Sequence, residues 1–170
     1  MTLRQVVSGG QTGVDRAALD TALDLGIACC GWCPRGRRSE DGSIPDRYPL
    51  TETPSENYAV RTRWNVRDSD GTLIFTSGTP SGGTALTVSF ADDAGKPWLV
   101  VDLLPISDIR DDPQATIAAI SQPVDAVVEW IANHDIRVLN VAGPRESSFV
   151  GIYGICRKIL DTAFRSIQAE

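Results

Sequence analysis

Residues 6–25, VVSGGQTGVDRAALDTALDL, constrain the fold of this chain more than any other stretch. They read as a short buried strand, a glycine turn and an amphipathic helix. Gly9, Gly10 and Gly13 permit positive φ and close backbone approach, and the helix that follows points unsatisfied N–H groups and its positive dipole end back at the turn. That is the grammar of an anion-binding loop. Two later stretches, TSGTPSGGTALTV and NVAGPRESS, repeat the arrangement.

Further apolar runs at 27–32, 72–75, 98–103 and 137–142 alternate with helical patterns. Such runs, continuous rather than alternating with polar residues, predict an α/β fold built on a doubly wound sheet covered on both faces. It should hold about five mostly parallel strands with helices on both faces. Ligands of such sheets bind beyond the carboxyl ends of the strands, at a topological switch point. All three glycine loops leave carboxyl ends, so they should share one rim. With 170 residues, 42% of them hydrophobic, and no linker or repeat, the expectation is a single domain over 1–170.

The helices carry their own signals. Ala18, Leu19, Ala22 and Leu23 recur at helical spacing, and Gly26 is placed to stop that helix. Thr53, Pro54 and Glu56 read as a capping-box start for a helix reaching about Val66. It carries Tyr58, Arg61, Arg63, Trp64 and Asn65, more arginine and aromatic than core packing requires. Asp112 and Pro113 read as the start of a short helix that Pro123 restarts, with Val124, Val127, Val128 and Ile131 on one face. Ile152, Ile155, Ile159, Phe164 and Ile167 mark the last helix.

A net charge of −6 gives no basic footprint for nucleic acid and no polybasic membrane patch. No run of about 18 apolar residues and no basic leader occurs, which predicts a cytoplasmic protein. A small anion remains allowed, because distant surface charge is screened over roughly 8 Å while the donors touching a ligand are not. Residues 33–52, CPRGRRSEDGSIPDRYPLTE, show no period and read as a long irregular loop bearing Arg35, Arg37, Arg38 and Arg47. It is either a solvated excursion or an arginine-bearing flap over a ligand.

Candidate chemistry is mostly that of binding. GxxxxGK[ST] and GxGxxG are both absent. In the second loop, Ser77, Gly78, Thr79, Ser81, Gly82, Gly83 and Thr84 can present hydroxyls and N–H groups with little bulk, which suits an oxyanion. Arg145 follows strand five with a planar donor fork, free for an anion or paired with Glu146 or an aspartate. The carboxylate of Asp15 either caps N–H groups or accepts from a ligand. Cys29, Cys30, Cys33 and Cys156 with the single His134 do not complete a zinc set and read as reduced thiols and a helix cap. Asp68 and Asp70 form an acidic turn before a strand, a cation site only if other ligands converge. No serine of the loops has a partner base, which favours binding over turnover.

The ordered set GGQTGVDRAALD, GWCPRGRRSEDGSIPDRYPLTE, YAVRTRWNVRDSDGTLIF, GTPSGGTALTV and LNVAGPRES resembles the molybdenum carrier proteins. These are a circularly permuted branch of the SLOG superfamily that includes the lysine-decarboxylase-like LOG proteins. The resemblance covers most of the chain outside roughly 102–134. It implies a Rossmann-like fold, a homo-oligomer (dimer or tetramer), and a role in binding and carrying molybdenum cofactor, molybdate or a similar phosphorylated pterin. Molybdoenzymes would be the recipients, and no metal is expected to be ligated by the protein. Carried over by residue, ligand binding falls on Gly9, Gly10, Gln11, Thr12 and Gly13, on Ser81, Gly82, Gly83 and Thr84, and on Gly143 and Arg145, with Asp15 beside them. Hydrolytic LOG relatives carry PGGxGTxxE with a catalytic glutamate. Here PSGGTALTV puts Thr87 and Val88 where that acid would fall, which weakens the alternative of a nucleoside-monophosphate phosphoribohydrolase. A nucleotide-binding sensor is the other alternative.

Overall fold

The computed structural model describes residues 2–107 and 113–169. In chain order its elements are β1 (Gln5–Val7), α1 (Val14–Asp24), β2 (Ala28–Cys30), β3 (Trp32–Cys33), β4 (Arg38–Ser39), β5 (Gly42–Ser43), β6 (Thr51–Glu52), α2 (Tyr58–Arg67), β7 (Gly71–Thr76), α3 (Gly82–Asp93), β8 (Trp98–Asp102), α4 (Leu104–Ser107), α5 (Pro113–Asn133), β9 (Val138–Ala142) and α6 (Ile152–Ala169). A short 3-10 turn, Glu146–Ser148, precedes α6.

Five strands form one parallel sheet in the order β2-β1-β9-β7-β8. From β1 the chain winds through α1 to one edge, and from β7 through α3 to the other, so the fold is doubly wound as the apolar runs predicted. The last strand, β9, is inserted between β1 and β7. Helices α1, α5 and α6 pack together in one layer, while α2 and α3 pack in the other. The main core lies under the first layer: Val6, Leu73, Phe75, Leu139 and Val141 from the sheet meet Ala18, Val127, Ile131, Ile155, Ile159 and Phe164 from the helices, all fully or nearly fully buried. Gly26 ends α1 with φ 67°, as expected of a stop residue, whereas Leu23 points away from the core and is exposed.

Several local expectations are corrected. The apolar run at 27–32 is broken at Gly31, where a Cβ would overlap the backbone carbonyl of Ser8, and Trp32 and Cys33 turn away to pair with β6. The 33–52 stretch is therefore not irregular. It holds the β4–β5 hairpin and a small core in which Ile44, Tyr48 and Leu50 pack on Leu19 and Cys33. Arg37 organises it from inside, donating to the carbonyls of Ile44, Pro45, Tyr48 and Leu50 at 3.0–3.1 Å. Helix α2 starts at Tyr58, capped by the Asn57 side chain on the Ala59 N–H (2.9 Å), because Thr53 spends its hydroxyl on the Ser55 carbonyl. Pro123 does not restart a helix; α5 runs through it, while the N-cap assigned to Asp112 lies outside the described residues.

Candidate anion-binding site

The carboxyl ends of β1, β9 and β7 are neighbours, so their three loops do meet on one rim. There they and α2 enclose a cavity of about 640 Å³, within the usual range for a small-molecule site. Gln11 and Asp15 come from the first loop, Ser77, Thr79, Ser81, Gly82, Gly83, Thr84 and Thr87 from the second, and Gly143, Pro144, Arg145, Ser147, Ser148 and Phe149 from the third. The fourth wall is α2, through Tyr58, Ala59, Arg61 and Thr62.

The three loops contribute differently. Helix α3 opens onto the cavity with no side-chain cap, and a Cβ on Gly82 or Gly83 would meet nothing within 4 Å. Its 12 residues give the dipole a full N-terminal end there. The N–H groups of the first loop are instead taken up within the protein: Val14 N–H donates to Pro144 O of the third loop, Thr12 N–H to the Gln11 side chain, and Gln11 N–H to Asp15. Gly9, Gly10, Thr12 and Gly13 stand behind the wall rather than on it. Gly10 makes room for Leu50 and Ile44, and Gly13, with φ 76°, lets the backbone of Pro144 and Glu146 approach to where a Cβ would meet them at 2.6 and 2.8 Å.

On the wall, Asp15 is nearly fully buried, accepts from Gln11 N–H at 3.1 Å and pairs with Arg61 at 3.2 Å. Burial pushes its carboxyl above the ordinary value; Arg61 and the Gln11 N–H pull the other way. Two donors in this corner, Gln11 Nε2 and Arg61 Nε, are buried with no hydrogen-bond partner. Sequence reasoning missed Arg61 as a site residue. Its signal was the surplus of arginine and aromatic on α2, and Gly9 is the residue that makes space for its guanidinium.

The excursion meets the rim through an acid. None of Arg35, Arg37, Arg38 or Arg47 lines the cavity: Arg35 and Arg38 pair with Glu56, and Arg47 with Asp20. At the hairpin tip, Glu40 accepts from Thr12 Oγ1, Ser147 Oγ and Ser147 N–H, the last at 3.2 Å, and faces Arg145 Nε at 3.8 Å. Partial burial would raise its carboxyl, but the Ser147 and Thr12 hydrogen bonds, with Arg145 nearby, hold it below the ordinary glutamate value. Among the described residues, Arg145 is thus paired with neither Glu146 nor an aspartate. Glu146 instead accepts from Gly151 and Tyr153 N–H at 2.5 and 3.1 Å, capping α6.

The remaining candidates have structural partners. Asp70 accepts from the N–H groups of Arg137 and Val138, and Asp68 from Trp32 Nε1 and Arg67. His134 follows α5 and bonds the Trp130 carbonyl. The cysteines are free, with burial raising each thiol, and none lines the cavity. Among the described residues no His, Cys, Asp and Glu group is arranged to hold a metal, and no helix is long and apolar enough to cross a membrane.

Comparison with known proteins fits this architecture. The circularly permutated YpsA SLOG family matches residues 6–164. No curated protein matches. A crystal structure from Syntrophus aciditrophicus SB, named "Putative molybdenum carrier protein", is 41% identical, covers 95% of each chain and superposes with a TM-score of 0.86. A profile match over nearly the whole chain, joined to that fold and that rim, places the protein: it belongs to the circularly permutated YpsA SLOG family.

Proposed function

We propose that this protein binds and carries a small phosphorylated cargo, molybdenum cofactor or a similar phosphorylated pterin, in the cavity at the strand-end rim. The observation that carries the reading is the pairing of two features on one cavity. The open N-terminus of α3, at Ser81, Gly82, Gly83 and Thr84, suits a phosphate, and the hydroxyls and amides of the facing third loop, with Arg145, suit acceptors elsewhere on the same ligand. Each charge-assisted hydrogen bond is worth about 1.5–3 kcal/mol, so a few suffice for useful affinity. The name of the 41%-identical neighbour supports molybdenum-related cargo. Oxygen groups of that cargo would be held by hydrogen-bond donors, since the cavity wall offers hydroxyls, amides and Arg145 rather than thiols.

Binding without turnover is favoured over the phosphoribohydrolase. Thr87 lies on the wall with its hydroxyl donating to the Gly83 carbonyl, and Asp15 is tied to Arg61. Delivery to molybdoenzymes and assembly into a homo-oligomer in the cytoplasm belong to the same proposal. Native mass spectrometry of protein purified without added ligand tests it. A retained pterin or molybdenum mass is expected. Retention of a nucleotide would replace the carrier with a nucleotide sensor.

A further inference from the structure

The tip of the β4–β5 hairpin has an unusual disposition. Residues 40–43 are exposed at the surface, yet the Glu40 side chain is only 17% exposed, because it turns inward between the first and third loops. Its carboxylate takes donors from both: Thr12 Oγ1, Ser147 Oγ and Ser147 N–H, with Arg145 alongside. Its own backbone N–H donates to Gln11 Oε1 at 3.0 Å. Gln11, Arg145 and Ser147 all line the cavity. Two hydroxyls, an amide and a guanidinium converging on one carboxylate form a seat that fits any small oxyanion, since phosphate and carboxylate oxygens accept the same donors. The rest of the excursion is anchored in a core of its own, through Ile44, Tyr48 and Leu50, so the tip can leave without unfolding it. Besides Glu40, the described ties from the tip to the rest of the chain run from Asp41 and Ser39 to Arg16, and from Arg38 to Glu56.

We propose that Ser147 and Arg145, which line the cavity, and Thr12, which stands just behind its wall, form a second oxyanion seat at the cavity's edge, filled in this conformation by Glu40, which a ligand oxyanion displaces as the 38–43 hairpin swings out. This rests on the reading of the cavity as a small-anion site. It makes the hairpin a gate whose latch is an internal competitor of the ligand. It also defines the ligand class: an elongated molecule with oxyanionic groups at two points, one at α3 and one at the seat. Strands in a sheet lie about 4.8 Å apart, so loops leaving β7 and the β1/β9 pair stand roughly 7 Å from each other along the rim.

The test uses inorganic triphosphate as probe, whose terminal phosphates can span the two points, in calorimetry on the wild-type protein and on Glu40→Ala, with hydrogen exchange followed in the wild type. Removing the competing carboxylate is expected to tighten triphosphate binding three- to tenfold. Triphosphate should also speed exchange of the 38–43 amides in the wild type, a readout independent of how the variant folds. Equal or weaker binding by Glu40→Ala, or unchanged exchange at the tip, overturns the gate and leaves the cavity reading standing. No binding of triphosphate by either protein overturns both.

Discussion

Arg61 occupies the space that a side chain on Gly9 would fill: a Cβ built on Gly9 would lie 2.5 Å from Arg61 Cζ. The first glycine loop and the α2 wall are thus fitted to each other. What Gly9 accommodates is a guanidinium of the chain's own. Gly9→Ala is expected to fold, because the obstructed group is the end of a flexible side chain, but to expel Arg61 from the wall and lower the Tm, since Asp15 is then buried without its partner. Its ligand affinity should equal that of Arg61→Ala, and the double variant should lose nothing further. Additive losses in a calorimetric double-mutant cycle would refute the coupling.

Removing Asp15 leaves the Arg61 guanidinium, whose side chain is 13% exposed, without its counter-charge. Breaking a buried pair from one side costs about 3–5 kcal/mol. Asp15→Ala should therefore lower the Tm by roughly 10 °C. Asp15→Leu combined with Arg61→Met should recover most of that loss while still failing to bind ligand. Scanning calorimetry checks the first statement and a binding titration the second.

An acid placed at the mouth of α3 separates binding from folding. Gly83 has open space around it and lies in the first turn, so Gly83→Asp should fold and even gain a few tenths of a kcal/mol from the helix dipole. The same carboxylate would occupy the phosphate position. Loss of one charge-assisted hydrogen bond, about 1.5–3 kcal/mol, predicts roughly ten- to a hundredfold weaker anion binding. Unchanged affinity would move the phosphate elsewhere.

The hairpin tip should also answer to acid. Hydrogen bonds from Arg16 and then Ser39 lower Asp41 from the ordinary 3.8 to about 2, and Glu40 is lowered too. A carboxyl depressed by folding contributes stability that is complete above its unfolded value and lost as pH falls through its folded one. The tip should therefore stay docked at pH 5 and loosen between about pH 4 and pH 2, ahead of global unfolding. An NMR titration of the Asp41 carboxyl, together with amide exchange of 38–43, would detect this. A midpoint near 4 would contradict the Arg16 pairing.

The sheet was legible because its three central strands are largely buried on both faces and all five read as apolar runs, and the rim followed from which loops leave carboxyl ends. Strand order was not legible: nothing local in VLNVA says that β9 slots between β1 and β7. The position of the second loop, with Ser81, Gly82, Gly83 and Thr84, on the cavity wall was legible because small residues before a helix announce an open N-terminus. The first loop carried the same local signal, yet its glycines Gly9, Gly10 and Gly13 stand off the wall and accommodate Arg61, Leu50 and the backbone near Pro144, contacts made at a distance in sequence. Glu40 was hidden for a similar reason. An acid inside an arginine-rich stretch looks like local charge balance until folding carries it to Thr12 and Ser147.

If the cavity holds a phosphorylated small molecule, the N-terminus of α3 and the Arg145 side of the rim must both contribute to its affinity. Isothermal titration of molybdenum cofactor and molybdate into protein shown to be folded, with Gly83→Asp and Arg145→Ala alongside, tests it most directly. Saturable binding of the cofactor is expected, weakened roughly tenfold or more by Gly83→Asp and less by Arg145→Ala, whose guanidinium is shared with Glu40. Absence of heat and of retained cofactor in the folded wild-type protein, or binding that neither substitution alters, would contradict it.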